Sequence, residues 1–171
     1  MRIIVCPLGD VPDLCDAHRP SHVLTLLSPG TDGPALADHG ARRLWLSMHD
    51  IVEPLEGLIV PDAALVDQLL AFSAGWTREQ PLLVHCWAGI SRSTAAAFVI
   101  ACQHAPEVPE AVIAQTLRAA SPIATPNPLI VALADALMRR NGRMKAAIAG
   151  IGRGRDAMMG QPFELRLNDM V

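Results

Sequence analysis

The sequence predicts an α/β fold in which a central, mainly parallel sheet is flanked by helices and followed by a C-terminal helical cluster. Short apolar runs bounded by turn residues alternate with longer segments whose apolar residues recur at helical spacing. Strands that alternate with helices favour a parallel sheet covered by helices. The chain has 171 residues, of which 51% are hydrophobic and 18% charged, so it is long enough for one domain with a substantial core.

Four apolar runs in the first half of the chain predict strands, at residues 3–6, 22–27, 43–48 and 82–85. The first run stops at Pro7. Asp10 and Pro12 predict a short helix over residues 10–17, with Asp10 as its N-cap and Pro12 in its first turn. A second helix is predicted over residues 61–76, because its apolar residues recur at helical spacing: Leu65, Leu69, Phe72 and Trp76.

The second half of the chain predicts three more helices. Two cover residues 94–101 and 109–120, and the third begins at Asn127-Pro128 and ends at Asn141-Gly142. Residues 1–145 are therefore predicted as the folded domain, and residues 146–171 as a basic, Gly-containing C-terminal tail. Alternating apolar and polar residues at 163–167 predict either a short edge strand or a partner-binding tail.

Basic residues cluster at the end of the predicted domain and in the tail. Six of them fall within 17 residues that contain no acid: Arg139, Arg140, Arg143, Lys145, Arg153 and Arg155. This run would attract acidic peptides, nucleic acid or anionic lipid, or it forms a solvated helix face followed by a glycine-containing linker. We favour the second interpretation, because no aromatic residues are interleaved for base stacking and the formal net charge of the chain is −3.

Residues 82–94 (LLVHCWAGISRST) carry the chemistry. A short strand leads to Cys86, then to five residues that include Gly89, and then to Arg92 at the start of a buried helix. A strand, a tight loop and a helix N-terminus direct several backbone N–H groups toward one point, which is an anion site. These groups and Arg92 favour the thiolate form of Cys86. A thiolate can attack phosphorus, and Arg92 offers two donors in one plane to phosphoryl oxygens.

The run His85-Cys86-x-x-Gly89-x-Ser91-Arg92-Ser93 resembles the phosphate-binding loop of the cysteine-dependent (C-x5-R) phosphatases, and most closely the tyrosine and dual-specificity branch. The resemblance covers residues 3–140. It implies a dual-specificity-phosphatase-like fold, a phosphatase domain at residues 1–145 and hydrolysis through a phosphocysteine intermediate without a cofactor. It assigns the nucleophile to Cys86, departure of the thiolate to Ser93 and support of the loop to His85. It implies phosphate binding by the loop residues Trp87, Ala88, Gly89, Ile90, Ser91 and Arg92.

A phosphatase also needs a carboxylic acid that protonates the leaving oxygen and then activates water. Relatives carry this Asp on a loop after the strand that corresponds to residues 43–48, and Asp50 stands there, 36 residues before Cys86. Three other carboxylates on the same segment are alternatives: Glu53, Glu56 and Asp62. Pro126-Asn127 resembles a pair that the family carries ahead of a late helix. Asn127 supports the active loop or orients water, or it only caps the helix, which we favour.

The side chains of the loop bear on the substrate. Trp87, Ala88 and Ile90 are apolar, whereas phosphoinositide phosphatases usually carry basic residues there. We therefore expect a phosphorylated protein or a small phosphomonoester as substrate. Trp87 walls the pocket or, as we favour, packs beneath it. Two other functions stay open, a pseudo-phosphatase that binds phosphorylated partners without turnover and a rhodanese-like sulfurtransferase; the sequence leaves the oligomeric state undetermined.

The remaining features predict a cytoplasmic protein without a metal site. The four cysteines and six histidines show no metal-ligand spacing. The N-terminal apolar run is too short for a signal peptide, and no segment approaches the roughly 20 apolar residues of a membrane span. Because Cys86 must be a free thiol, we expect a reducing compartment. Cys6 and Cys102 lie in apolar segments and are predicted to be inert core residues.

Overall fold

The computed structural model of the chain describes residues 1–166. Within this range the strands form one central sheet in the order β3-β2-β4-β1-β5, with the bounds β1 (Arg2–Pro7), β2 (His22–Leu27), β3 (Arg42–Ser47), β4 (Leu82–Cys86) and β5 (Phe163–Arg166). The first four strands are parallel, and β5 pairs antiparallel with β1 at one edge. The predicted α/β fold with a mainly parallel sheet is confirmed.

Over the described residues 1–166, six α-helices surround this sheet: α1 (Val11–His18), α2 (Ala63–Ala74), α3 (Arg92–His104), α4 (Glu110–Ala120), α5 (Pro128–Leu137) and α6 (Arg143–Ile151). Residues of β1, β2 and β4 contribute to two apolar clusters, because a central parallel strand buries side chains on both faces. The smaller cluster packs against α1 and the larger one against the other helices.

Helix α3 lies at the centre of the larger cluster. Its residues are buried continuously from Arg92 to Cys102, and Phe98 is its largest fully buried side chain. Four of the residues in this run are alanines, which let α3 approach the sheet and the helices α2, α4 and α5 closely. The N-terminus of α3 is therefore fixed by packing along the rest of the helix.

The chain after α5 differs from the prediction. The helix that was predicted to reach Asn141 ends at Leu137, because Arg139 and Asn141 adopt left-handed backbone conformations. A new helix, α6, follows at once. The buried carboxylate of Asp135 holds its first turn by accepting hydrogen bonds from the N–H groups of Gly142 (2.7 Å), Met144 (2.8 Å) and Lys145 (3.4 Å).

Residues 146–166, which were predicted to belong to a tail, join the folded body. The boundary predicted at residue 145 falls inside α6, and β5 pairs with β1 from Val5↔Phe163 to Arg2↔Arg166. The structure thus has an edge strand over 163–166, one of the two possibilities that the alternation left open. Leu167, the end of that predicted strand, and the rest of the predicted tail lie outside the described residues.

The basic run is also partly internal. Arg140 and Arg143 both bind the buried carboxylate of Glu110 on α4, each at 3.1 Å. Burial of Glu110 acts to raise its pKa, but its backbone hydrogen bond and the two guanidinium groups outweigh burial and hold the pKa below its usual value. The interpretation as a solvated helix face is therefore wrong for Arg140, whose side chain is 13% exposed, whereas Arg143 remains exposed on α6 although it pairs with Glu110.

Asp10 is the N-cap residue of α1, as predicted, but its side chain makes no capping hydrogen bond.

Among residues 1–166, no helix has both the length and the apolar composition that crossing a bilayer requires.

Candidate active site

The loop between β4 and α3 lies at the carboxyl end of a parallel strand, where open α/β sheets bind ligands. Cys86 is the last residue of β4, and only 2% of its surface is exposed. Its Sγ accepts the N–H of Gly89 at 3.3 Å and lies 3.2 Å from Oγ of Ser93. The sulfur lines a cleft of about 370 Å³, together with Asp50, Trp87, Ala88, Ile90, Ser91, Arg92, Ala157 and Met158.

The carbonyl groups of this loop are held by neighbouring segments. The accepted bonds are Leu8 N–H to Trp87 O (3.1 Å), Gly160 N–H to Ala88 O (2.7 Å), Thr125 N–H to Ile90 O (2.9 Å) and Ala95 N–H to Ser91 O (2.9 Å). In a trans peptide the N–H of the next residue points the opposite way. For Gly89 that direction leads to the Cys86 sulfur. The bond to Ala88 O therefore orients the Gly89 amide toward the sulfur, as an oxyanion cradle requires of its donors.

At position 89 of the loop, only a glycine fits. Its φ is +71°, a conformation that side chains disfavour. A Cβ atom there would lie 2.7 Å from the nitrogen of Pro7 and 2.8 Å from the carbonyl carbon of Cys6. The loop packs this closely on β1 because Pro7 and Cys86 are register partners.

Arg92 is buried and anchored from the ends of two other parallel strands. Its Nη1 donates to the carbonyl oxygen of Met48 at 2.7 Å and to Oγ of Ser28 at 3.2 Å. Its Nε is also buried and has no acceptor within residues 1–166. A buried donor needs an acceptor, and a phosphoryl oxygen would satisfy it. Sequence reasoning missed Ser28 and Met48, although each directly follows a strand whose carboxyl end faces the site.

The structure brings Asp50 to the Cys86 loop. Its Oδ1 accepts hydrogen bonds from Oγ of Ser91 (2.8 Å) and Nδ2 of Asn127 (2.8 Å), and its side chain lines the cleft. The competing carboxylates do not line it: Asp62 caps α2 by accepting the N–H of Leu65 at 2.8 Å, and Glu53 and Glu56 are exposed. The position of Asp50 is therefore the one that suits a proton donor to a bound substrate.

Asn127 both caps α5 and supports the cleft. Its Oδ1 accepts the N–H groups of Leu129 (3.0 Å) and Ile130 (3.1 Å), which caps α5. Its Nδ2 donates to Asp50 and, at 3.3 Å, to the carbonyl oxygen of Ile51. One side chain thus ties the start of α5 to the carboxylate of the cleft.

Two hydrogen bonds between His49 and Ile59 join the two ends of the segment that carries Asp50. The His49 N–H donates to Ile59 O (2.8 Å), and the Ile59 N–H donates to Nδ1 of the His49 ring (2.8 Å). The histidine that precedes Asp50 therefore fixes the shape of the segment rather than contacting the carboxylate.

His85 supports the loop from the strand side. It is completely buried, and its Nε2 lies 2.7 Å from Oγ1 of Thr25, its register partner on β2. Burial lowers the pKa of His85 to about 4, against a smaller opposing effect of a backbone hydrogen bond at Cys86. The ring is therefore neutral at physiological pH, and it holds the end of β4 by hydrogen bonding.

The other three cysteines are also free and buried. Burial raises the pKa of Cys6, Cys15 and Cys102, in the last case to about 12. None of the three lines the cleft at Cys86. Within residues 1–166, no group of three or more His, Cys, Asp or Glu side chains is placed to hold a metal ion.

The walls of the cleft include Trp87, for which the less favoured of two predicted roles is found, and two residues that the sequence did not indicate. Trp87 is 53% exposed beside the opening, so it does not pack beneath the loop. Ala157 and Met158 come from the segment between α6 and β5, which had been assigned to the tail. No sequence pattern marks these two residues, because their role depends on how the segment crosses the surface.

The fold of the chain is that of the dual-specificity phosphatases. It is similar to human DUSP28 (TM-score 0.61, 18% identity, 81% of this chain and 94% of that chain). It is also similar to the Yvh1 phosphatase domain from Chaetomium thermophilum (TM-score 0.60, 20% identity, 83% and 93%) and to PTPMT1 in complex with PI(5)P (TM-score 0.55, 19% identity, 87% and 91%). No protein-family model and no curated protein matches the sequence.

Proposed function

We propose that the protein is a cysteine-dependent phosphomonoesterase of the tyrosine or dual-specificity type, acting on a phosphorylated protein or a small phosphomonoester. The observation that carries this proposal is the convergence of Cys86, Arg92 and Asp50 on one cleft, with the Gly89 amide directed at the sulfur. A nucleophile, an anion-binding fork and a proton donor are the groups that phosphoryl transfer to a thiolate needs. The dual-specificity-phosphatase fold adds support.

In the first step, the Cys86 thiolate attacks phosphorus, and an S–P bond forms as the bond from phosphorus to the ester oxygen breaks. Arg92 and the loop amides hold the equatorial oxygens, on which negative charge must be stabilised. Asp50 gives its proton to the departing oxygen, which leaves as an alcohol or phenol.

In the second step, water attacks the phosphocysteine. Asp50, now ionised, takes a proton from this water, the S–P bond breaks, and inorganic phosphate is released. Ser93 lies 3.2 Å from the sulfur, and its hydroxyl stabilises the departing thiolate by donating a hydrogen bond. Cys86 and Asp50 return to their starting forms, so the cycle is complete without a cofactor.

The substrate class follows from the side chains around the cleft. Trp87, Ala88 and Ile90 supply apolar surface and no basic group for additional phosphates. PTPMT1 was captured with PI(5)P, but in this chain residues 87–92 carry no cation besides Arg92, which holds the scissile phosphate. We therefore propose a phosphoprotein or a small phosphomonoester. We also propose a cytoplasmic location, since all four cysteines are free thiols and Cys86 must remain one.

Turnover of a generic aryl phosphate tests the proposal. The wild-type protein should release phosphate, and Cys86→Ser should abolish turnover while inorganic phosphate still binds. Phosphate binding without turnover by the wild type would indicate the pseudo-phosphatase alternative. Transfer of sulfur from thiosulfate to cyanide, without phosphate release, would indicate the sulfurtransferase.

A further inference from the structure

A second cavity adjoins the catalytic cleft. It measures about 550 Å³, and it shares the wall residues Ile90, Ser91, Ala157 and Met158 with the cleft, so the two spaces lie side by side. Its remaining walls are Thr125, Arg153, Arg155 and Asp156. A substrate whose phosphate reaches Cys86 would therefore pass this cavity with its adjoining groups.

The segment that forms the outer wall, residues 152–162, is called the strap here. Hydrogen bonds to the backbone of the strap attach it along its length. They are Arg118 Nη2 to Gly152 O (2.8 Å), Gly154 N–H to Thr125 Oγ1 (3.1 Å), Arg155 N–H to Pro122 O (2.9 Å) and Gly160 N–H to Ala88 O (2.7 Å). A Cβ atom on Gly154 would lie 2.5 Å from the Ile123 carbonyl, so the strap packs directly on the loop before α5. The backbone at Arg155 is thus fixed relative to the Cys86 loop.

Of the two arginines on the strap, Arg155 has no partner within residues 1–166 and can bind an anion. Arg153 forms an ion pair with Asp156 at 2.8 Å, which uses the one carboxylate that lines the cavity. The exposed side chain of Arg155 makes no hydrogen bond or ion pair with any residue in the range 1–166. The cavity therefore has a net positive charge, next to a cleft that receives a phosphate.

We propose that this cavity binds a second acidic group of a phosphopeptide substrate, a carboxylate or another phosphate near the scissile residue. Arg155 is then the residue that selects such substrates, because its planar guanidinium suits either group. This inference rests on the proposed function only in that the scissile phosphate occupies the Cys86 loop. We commit to a peptide rather than an anionic bilayer, because within residues 1–166 the cavity offers one unpaired arginine and the formal net charge of −3 gives no broad attraction to an anionic surface.

Matched phosphotyrosine peptides test the assignment. One has neutral residues beside the phosphotyrosine, one has Asp and Glu there, and one has a neighbouring phosphoserine. For the wild type, kcat/KM should be higher for both acidic peptides than for the neutral peptide. Arg155→Ala should reduce the ratio of kcat/KM for an acidic peptide to kcat/KM for the neutral peptide about three- to fivefold, which is the effect of losing an exposed ion pair. Arg155→Glu should reverse the preference. Lys145→Ala is the control, since Lys145 is exposed on α6 and lines neither cavity.

An unchanged ratio in Arg155→Ala, or an equal reduction in Lys145→Ala, would overturn the proposal. Faster turnover of phosphoinositide vesicles than of any acidic peptide would overturn the peptide assignment. If the wild type hydrolyses no aryl phosphate, the proposed function fails, and the same peptide ratio is then measured as equilibrium binding to Cys86→Ser. A preference for acidic peptides that Arg155→Ala removes would still support the cavity, and equal binding of all three peptides would reject it.

Discussion

Nδ2 of Asn127 donates a hydrogen bond to Oδ1 of Asp50 across 77 residues of sequence, at 2.8 Å. The same side chain caps α5 through its Oδ1. The position of the proposed general acid is therefore coupled to the packing of a helix outside the Cys86 loop. Substitutions that preserve one of these two interactions can separate them.

Asn127→Ser should separate capping from the positioning of Asp50. Serine caps helices about as well as asparagine but cannot also reach the carboxylate, so the free energy of unfolding should change by less than about 0.5 kcal/mol while kcat falls about tenfold. Asn127→Ala should lose the cap as well and be less stable by about 1 kcal/mol. Denaturant unfolding and steady-state kinetics measure both effects. Full activity in Asn127→Ser would mean that the bond to Asp50 is dispensable.

Asp50→Asn should lower kcat about 100-fold or more, the usual contribution of general acid catalysis. The loss should be larger for phenyl phosphate than for nitrophenyl phosphate, because a good leaving group needs less protonation. Glu53→Gln is the matched control, since Glu53 is exposed and does not line the cleft. If Glu53→Gln gave the larger loss, with the same dependence on the leaving group, the acid would be Glu53.

His85 should make the protein less stable in acid. Its pKa in the folded chain is about 4, below the ordinary value near 6.5, so between these values the unfolded chain binds a proton that the native state does not. Its contribution is complete above pH 6.5, falls as the pH decreases, and amounts to a loss of about 3 kcal/mol at pH 4. Denaturant unfolding from pH 7 to pH 4 should show a shallower decline for His85→Gln. Parallel pH profiles for the two proteins would refute this source of acid sensitivity.

Gly160→Ala should impair the Cys86 loop from outside the cleft. A Cβ atom there would lie 2.9 Å from the Ala88 carbonyl oxygen, which accepts the Gly160 N–H. Pushing this carbonyl rotates the peptide whose N–H reaches the sulfur, so kcat/KM should fall about tenfold or more. Gly150→Ala is the control, because a Cβ atom on Gly150, within α6, meets nothing within 4 Å, and it should stabilise the helix by up to about 1 kcal/mol. Equal activity in the two variants would show that the strap does not hold the loop.

The sequence predicted the parts of the molecule that are local. The Cys86 loop, its strand and its helix are contiguous, so residue types and order were enough to predict the strand–loop–helix arrangement. The position of Asp50 after β3 came from the resemblance to a family. The anchors of Arg92 at Ser28 and Met48, and the cleft wall at Ala157 and Met158, arise from packing between distant segments and leave no local pattern.

Helix α6 was not predicted from the sequence, for a different reason. Its first turn is held by Asp135 of the preceding helix, so the capping signal stands before Gly142 rather than at the usual cap position. Glycines at 150, 152 and 154 then suggested a linker. The first lies in the helix, and the last packs against Ile123, where only a glycine fits. Amino-acid composition alone cannot distinguish glycines that allow close packing from glycines that make a linker flexible.

Trapping the covalent intermediate tests the central claim most directly. The wild-type protein is mixed with an excess of a good aryl phosphate, quenched within the first turnovers and digested, and its peptides are examined by mass spectrometry. We predict one added phosphoryl group on the Cys86 peptide, absent from Cys86→Ser, and more of it in Asp50→Asn, which cannot activate water efficiently. Phosphate release by the wild type with no phosphorylated Cys86, together with turnover by Cys86→Ser, would contradict the account.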